Sequence, residues 1–210
     1  FYLDAPKNFN NENTTHLFAS LFLQKAGIHL TGDYYLVGNY LYLNGYRQLQ
    51  QESTVFNVLR INALKTFKIG KHWNWHSEVY IQQKTGGVQL HMPLLYTRNR
   101  FMYEGKLGFR NLNMATGVEV RYHTPYKPDD YSPVLGQFFW QDSVTISNLP
   151  DLHLFMHLRI RSFKLYVRLE NLNTAQFFGG FQFNNNNRAA PDYLTPGLLL
   201  RFGIYWSFVN

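Results

Sequence analysis

The 210-residue sequence contains no cysteine, which excludes disulfide bonds, thiolate metal sites and thiol nucleophiles. It also has no run of about 18 consecutive apolar residues, the length that a membrane-crossing helix requires. Charge is sparse, since Asp, Glu, Lys and Arg make up 16% of the residues. Neither an initiator methionine nor a secretory leader stands at the start, so we interpret the sequence as part of a longer chain.

Aromatic residues are abundant instead. The sequence has 15 Tyr, 18 Phe and 4 Trp, and its net charge is +7. A basic protein could bind nucleic acid, but such proteins usually cluster Lys and Arg on one face or in a run. Here the basic residues are scattered singly between apolar ones. We therefore predict no nucleic-acid partner.

Apolar and polar residues alternate over much of the second half, and a period of two predicts strands with one apolar and one polar face. In residues 113–123, for example, Val118 and Val120 share one face, whereas Glu119 and Arg121 share the other. The pattern predicts about eleven strands, many of them long enough to cross a bilayer at a tilt, which takes about 9–11 residues. The predicted strands are 17–30, 34–44, 53–67, 71–84, 95–109, 113–125, 135–147, 151–160, 163–172, 176–183 and 197–208.

These strands predict an all-β fold, namely an antiparallel transmembrane β-barrel of the outer-membrane type. Residues 1–210 would be a single segment of a larger barrel, without a separate soluble domain. The predicted turns alternate between short and long, and barrels of this class keep short turns periplasmic and long loops outside. By this count the Arg161-Ser162 corner and Phe1 would lie outside, whereas Gly32-Asp33 would be a short periplasmic turn.

Charged side chains on the polar faces are predicted to line the barrel interior, because Arg or Lys facing lipid at the midplane costs about 2–4 kcal/mol. The predicted lining residues are Arg98, Arg100, Glu104, Lys106, Glu119, Arg121, Arg159, Arg161, Lys164, Arg168, Glu170 and Arg201. Positive charge outnumbers the three glutamates, which predicts a preference for anionic solutes. The alternative is a plugged barrel whose arginines are buried in salt bridges.

The sequence offers no catalytic or metal site. His153 and His157, like His72 and His76, are four residues apart, which on a strand separates them by about 13 Å, too far to share one ion. The glutamates are better explained as cross-strand ion-pair partners than as an acid and base. We therefore predict no enzyme activity, no cofactor and no metal.

Several aromatic residues fall near predicted strand ends, where amphipathic rings suit the boundary between acyl chains and headgroups. They are Trp73, Trp75, Tyr96, Tyr103, Phe138, Phe139, Trp140, Tyr205 and Trp206. This placement predicts the lipid bilayer of the outer membrane as a partner.

From about Phe56 to Asn210, the sequence resembles the putative porin family of Bacteroidota outer membranes. The resemblance rests on five segments in this order: Arg121-Tyr-His-Thr-Pro-Tyr, Gly136-Gln-Phe-Phe-Trp-Gln, Asn148-Leu-Pro-Asp-Leu-His-Leu-Phe-Met-His-Leu, Arg168-Leu-Glu-Asn-Leu-Asn, and the ending that starts at Tyr193-Leu-Thr-Pro-Gly. It implies a bacterial outer-membrane location, a signal peptide and further chain upstream. It supplies no catalytic residues.

The C-terminal alternation of Phe202, Ile204, Trp206 and Phe208 resembles the signal by which the outer-membrane assembly machinery recognises a last strand, although two residues follow Phe208. As a whole, the sequence predicts a channel that passes small hydrophilic solutes. The alternative is a plugged structural or accessory barrel bound to other outer-membrane proteins.

Overall fold

The computed structural model of the chain describes residues 8–46, 48–106, 108, 110–175 and 187–207. These residues form a nine-stranded antiparallel sheet and three two-stranded hairpins. No helix in the described ranges has the length and apolar character needed to cross a membrane. The prediction of an antiparallel all-β fold is thus confirmed.

Strands account for most of the described residues. In chain order they are β1 (Asn13–Leu23), β2 (Ile28–Gly38), β3 (Tyr40–Asn44), β4 (Gln48–Glu52), β5 (Phe56–Ile69), β6 (Trp73–Thr85), β7 (Leu95–Gly105), β8 (Leu112–His123), β9 (Asp130–Ser132), β10 (Gln137–Phe139), β11 (Asp151–Ile160), β12 (Phe163–Glu170), β13 (Arg188–Ala190), β14 (Tyr193–Leu194) and β15 (Leu199–Trp206). A short 3-10 turn spans Leu172–Thr174.

The large sheet is an up-and-down meander in the order β1-β2-β5-β6-β7-β8-β11-β12-β15. Every neighbouring pair is antiparallel. Among the described residues, β1 and β15 each have one neighbour in this sheet and form its two edges. The small hairpins β3-β4, β9-β10 and β13-β14 all lie within connections between the long strands.

Because successive strands run in opposite directions, their connections alternate between the two ends of the sheet. The short connections 24–27, 70–72, 106–111 and 161–162 share one end, which we call the short-turn end. The connections 39–55, 86–94 and 124–150 share the other, the long-loop end, together with the described residues 171–175 and 187–198 between β12 and β15. The prediction for Arg161-Ser162 is therefore wrong, since this corner lies with the other short turns. Arg161 makes the tight turn with a left-handed φ of 53°.

The predicted strands 17–30 and 34–44 have the wrong bounds, because the turn predicted between them is wrong. The turn between β1 and β2 lies at 24–27, where Gly27 has a φ of 60°, and Gly32 and Asp33 lie in the middle of β2. Gly32-Asp33 has the composition of a turn, but the alternation of residues 28–38 continues through it, and β2 pairs with β1 along its whole length.

The predicted strand 135–147 is also wrong, because only Gln137–Phe139 forms a strand there, within the long 124–150 connection. Gly136 adopts a φ of 65° in the turn that joins β9 to β10, where its N–H donates to the Ser132 carbonyl at 2.8 Å. With one strand fewer than predicted, each later strand runs in the opposite direction to that predicted. This reversal explains the wrong placement of the Arg161-Ser162 corner. The predicted strand 176–183 lies outside the described residues.

Candidate functional site

The large sheet has a polar and an apolar face, because side chains alternate along each strand. The register places Arg100 opposite Glu119, Glu119 opposite His153 and Arg168 opposite Arg201, so these side chains share the polar face. Most of the predicted lining residues are on that face, namely Arg98, Arg100, Glu104, Glu119, Arg121, Arg159, Lys164, Arg168, Glu170 and Arg201. Lys106 and Arg161 lie in the short connections instead.

Glu119 is the centre of the largest ionic cluster in the described part of the chain, and its side chain is 0% exposed. Its Oε2 accepts from Arg98 Nη2 at 3.0 Å and from Arg100 Nη2 at 2.6 Å. Its Oε1 lies 2.6 Å from Arg121 Nη2 and accepts from Arg168 Nη2 at 2.9 Å. The cluster therefore joins β7, β8 and β12 through side chains, across strands that are not all neighbours.

Two further glutamates extend this cluster. Glu78 lies 3.9 Å from Arg98, and Glu170 contacts Arg168 at 2.9 Å and Arg201 at 3.1 Å. In the described ranges, the extended network has five arginines and three glutamates, so it keeps an excess of positive charge.

A second ionic cluster on the polar face was missed by the sequence analysis. The buried Asp33 accepts from Arg60 Nη2 at 3.0 Å, and its Oδ1 lies 2.9 Å from His16 Nε2. The His16 ring stacks on Tyr35 with 4.3 Å between ring centroids. The alternation of residues 28–38 would have shown this cluster, but the assignment of Gly32-Asp33 to a turn hid it.

The remaining predicted lining residues gather near the short-turn end. A cavity of about 1250 Å³ is bordered there by Glu104, Lys106, Arg159, Lys164 and Arg168, among others. A second one of about 370 Å³ is bordered in part by Lys106, Arg159 and Arg161. Glu104 differs from the other two predicted glutamates, because it accepts a hydrogen bond at 2.7 Å from an amide, Asn74 Nδ2.

The opposite face exposes large apolar side chains on every strand of the sheet from β1 to β15 except β8 and β12. They include Leu17, Leu21, Leu36, Leu59, Ile61, Trp73, Trp75, Ile81, Phe101, Leu154, Ile160, Leu200, Phe202, Ile204 and Trp206. Of the predicted last-strand signal, Phe202, Ile204 and Trp206 lie on this face of β15, and Phe208 lies outside the described residues.

Aromatic rings are concentrated on the apolar face towards the short-turn end. Phe67 stacks on Trp75 at 4.6 Å and Trp73 on Phe101 at 5.0 Å, and Phe163 meets Trp206 edge-on at 6.2 Å. Of the rings predicted at a headgroup boundary, Trp73, Trp75, Tyr103 and Trp206 belong to this group. Tyr96 and Tyr205 lie on the polar face, and Phe138, Phe139 and Trp140 belong to the 124–150 connection.

The 86–94 connection folds onto the polar face at the long-loop end. Lys84 Nζ donates to the Val88 carbonyl at 2.6 Å, and Gln82 Nε2 donates to the Pro93 carbonyl at 2.9 Å. Val88 is buried against Val37 and Phe56 in an apolar cluster. Both of those residues belong to the polar face in register, so this connection covers part of that face.

The long connections also contact one another. Trp140 N donates to the Leu43 carbonyl at 2.7 Å, which joins the 124–150 connection to the β3-β4 hairpin. Asp142 Oδ1 lies 2.6 Å from Lys127 Nζ and 3.6 Å from His91 Nε2. The hydrogen bond from Lys127 holds the pKa of the exposed Asp142 below its ordinary value.

The charged groups of the polar face do not assemble into a metal site. Among the described residues, no group of three or more His, Asp and Glu side chains is placed to hold a metal ion. The buried carboxylates on this face are bonded by guanidinium groups, at Glu119 by four of them and at Asp33 by Arg60 together with the His16 ring.

Comparisons with known proteins agree with this geometry. The profile of the family described as "Putative porin" matches residues 2–210. No curated protein matches the chain. Among solved structures, a Gly-to-Val variant of the ferric enterobactin receptor from Pseudomonas aeruginosa is similar with a TM-score of 0.59 and 14% identity, over 94% of this chain and 31% of the receptor chain. An Arg-to-Ala variant of that receptor in complex with enterobactin is similar with a TM-score of 0.59 and 13% identity, over 93% and 31%. At this identity the likeness concerns the fold, and this chain spans about a third of the receptor's length.

Proposed function

The chain belongs to the "Putative porin" family, and from this membership we propose that it forms part of an outer-membrane channel that passes small hydrophilic solutes, anions in preference to cations. The observation that carries the proposal is the Glu119 cluster, an arginine-rich network on the face opposite an exposed apolar one. Transport of this kind involves neither turnover nor cofactor.

The apolar face is suited to lipid. Exposed Leu, Ile, Phe and Trp side chains over nearly the whole width of a sheet would aggregate in water, whereas acyl chains solvate them. Stacked rings at one end of that face match the aromatic girdle at a membrane interface. Seven of the nine strands in the large sheet have 10–14 residues, which is long enough to cross a bilayer at a tilt.

The polar face is suited to a water-filled interior. Charged groups cannot face acyl chains cheaply, so Arg98, Arg100, Arg121 and Arg168 require the opposite side of the sheet. An excess of arginine raises the local concentration of anions in a pore. The placement of short and long connections supports a periplasmic short-turn end and an external long-loop end.

A closed barrel needs partners for the two edges of this sheet. A strand edge in the membrane leaves N–H and C=O groups unpaired, which the acyl chains cannot satisfy. We propose that further strands of the longer protein pair with β1 and β15. The alternating apolar residues of β15 would serve as the segment that the outer-membrane assembly machinery recognises.

The second candidate function is a plugged structural or accessory barrel in a larger outer-membrane complex. It is favoured by the 86–94 connection, which is packed onto the polar face through Val88. It is also favoured by the contacts among the long connections, which form a layer at one end of the sheet. A layer of this kind would narrow or close the interior.

Single-channel conductance of the purified full-length protein in a planar bilayer tests both candidates, with a salt gradient to measure ion preference. We expect steady conductance and anion preference, because the arginine network attracts anions. Arg121→Gln should reduce that preference more than Lys68→Gln, an equal loss of charge on the polar face outside the cluster. A folded but silent protein would contradict the channel and favour the plugged barrel, whereas a conducting protein that prefers cations would contradict the proposed anion preference.

A further inference from the structure

The Glu119 cluster holds more positive charge than its own carboxylate neutralises. Among the described residues, four guanidinium groups share this one buried carboxylate, two on each oxygen. Like charges held together and partly removed from water are costly unless anions compensate them. The four arginine side chains remain 22–35% exposed, so an anion from the water on this face can reach them.

His153 supplies an independent sign of a ligand beside these arginines. The residue is 4% exposed, and its Nδ1 accepts a hydrogen bond from the backbone N–H of Asn171 at 3.2 Å. A ring nitrogen that accepts carries no proton, so the proton of the ring is on Nε2, which is then a donor. Nε2 is buried without a hydrogen-bond partner in the part of the chain that the structure describes. A buried donor left unpaired is unfavourable, so a ligand atom that accepts from Nε2 would be stabilised there.

The register places this donor among the arginines. His153 lies directly opposite Glu119, the residue to which Arg121 and Arg168 are bonded. Two residues along β11 on either side, Asp151 faces Arg121 and Phe155 faces both Gly117 and Arg168. Asn187 donates a neutral amide hydrogen bond to the Asp151 carboxylate. When Asp151, Glu78, Glu119 and Glu170 are counted against the five arginines of the extended network, one positive charge remains in excess.

We propose that His153, Arg121 and Arg168 form a binding site for one oxyanion group, a carboxylate or a phosphate carried by a solute. Guanidinium groups bind both oxyanions with charge-assisted hydrogen bonds, and the neutral imidazole donates a further hydrogen bond through Nε2. Glu119 holds the arginines in place. The inference rests on the proposed function only in taking the polar face as the water-filled side of the sheet.

The alternative source of such an oxyanion is a lipid headgroup. The site is on the face opposite the exposed Leu154 and the half-buried Val118, which border His153 and Glu119 in sequence. The side chains of neighbouring residues point to opposite faces of a strand, so the site is turned away from the apolar face. This geometry favours a soluble anion.

Isothermal titration calorimetry on the full-length protein in a non-ionic detergent tests the site without requiring conductance. Inorganic phosphate and acetate should bind, and uncharged glycerol should not. His153→Leu should weaken phosphate binding about tenfold, because it removes one hydrogen bond to a charged group. His76→Leu, on the polar face of β6 but outside the cluster, should leave binding unchanged.

Glu119→Gln should act in the opposite direction and tighten phosphate binding, since it removes the anion that competes for the arginines. Arg121→Gln, at a partly exposed side chain, should weaken binding even if the His153 variant fails to fold. The proposal is overturned if phosphate does not bind, if His153→Leu and His76→Leu bind phosphate alike, or if binding requires added anionic lipid. If the protein binds phosphate but does not conduct in the bilayer, the binding site is supported and the channel is contradicted.

Discussion

The two faces of the large sheet are built from the same strands but are held by different interactions. On the polar face, Glu119 and Asp33 join strands through charged hydrogen bonds, and the 86–94 connection covers one end. On the apolar face, Ile61, Ile81 and Phe202 are exposed, so the free energy of this face depends on whether water or acyl chains surround it. Substitutions on the two faces should therefore alter the free energy of unfolding through different interactions, although successive residues of one strand lie on opposite faces.

The largest effect is expected at the centre of the polar face. Glu119→Leu would leave Arg98, Arg100, Arg121 and Arg168 without their shared anion, and breaking a buried ion pair in this way costs about 3–5 kcal/mol. Val118→Ala, one residue away on the apolar face, should cost about 1 kcal/mol. The free energy of unfolding in lipid vesicles, measured by denaturant titration, compares the two. Equal losses would contradict the distinction between the faces.

A charge introduced on each face tests which one meets lipid. Ile61→Arg lies on the apolar face of β5 and should cost about 2–4 kcal/mol in a bilayer. Leu64→Arg lies at the same distance from the strand's centre on the polar face, opposite Glu78, and should cost less than about 1 kcal/mol. The same unfolding titration measures both changes. A larger loss for Leu64→Arg would reverse the assignment of the faces.

The cover at the long-loop end gives a smaller and more local effect. Val88→Asp buries a charge between Val37 and Phe56, so the 86–94 connection should detach from the polar face. Single-channel conductance should rise about twofold or more if the proposed pore exists, since removing the cover would widen it. Val134→Asp, at an exposed position of the 124–150 connection, is the matched control. Unchanged conductance in both variants would show that the cover does not limit flow.

The smallest effect concerns the contact between Lys127 and Asp142. The pKa of Asp142 is held below its ordinary value of 3.8 by the Lys127 hydrogen bond, so the carboxylate form strengthens the folded connection above that pH. This contribution is lost as pH falls through the lowered pKa, below 3.8. His91 stacks on the nearby Trp140, so the measurement uses a His91→Leu variant. In that variant, Trp140 fluorescence recorded from pH 7 to pH 3 should change only in the acidic range. Asp142→Asn should abolish the difference, and a change near neutral pH would contradict it.

Much of the sheet was predictable, because period-two alternation depends only on the order of residues. Strands β5 to β8, β11, β12 and β15 were anticipated to within a few residues, and the polar-face residues Arg98, Glu119 and Arg168 were selected in advance. The turn predicted at Gly32-Asp33 and the strand predicted at 135–147 are wrong, because turn composition and apolar content describe only the local sequence and not the pairing partners. Pairing with β1 keeps Gly32 extended. In residues 135–147, by contrast, the backbone pairs with β9 and, at Trp140, with Leu43 of the β3-β4 hairpin instead of joining the large sheet.

The sequence alone determined which side chains share a face, because alternation follows from the geometry of an extended chain. It also determined the family, through motifs that need no coordinates. Only the tertiary structure decided that Arg98, Arg100, Arg121 and Arg168 converge on one carboxylate, and that His153 Nε2 is left beside them. The physical reason is register: residues 49 positions apart meet only when several strands pair with one particular offset, and a slip of one residue would turn each side chain to the opposite face.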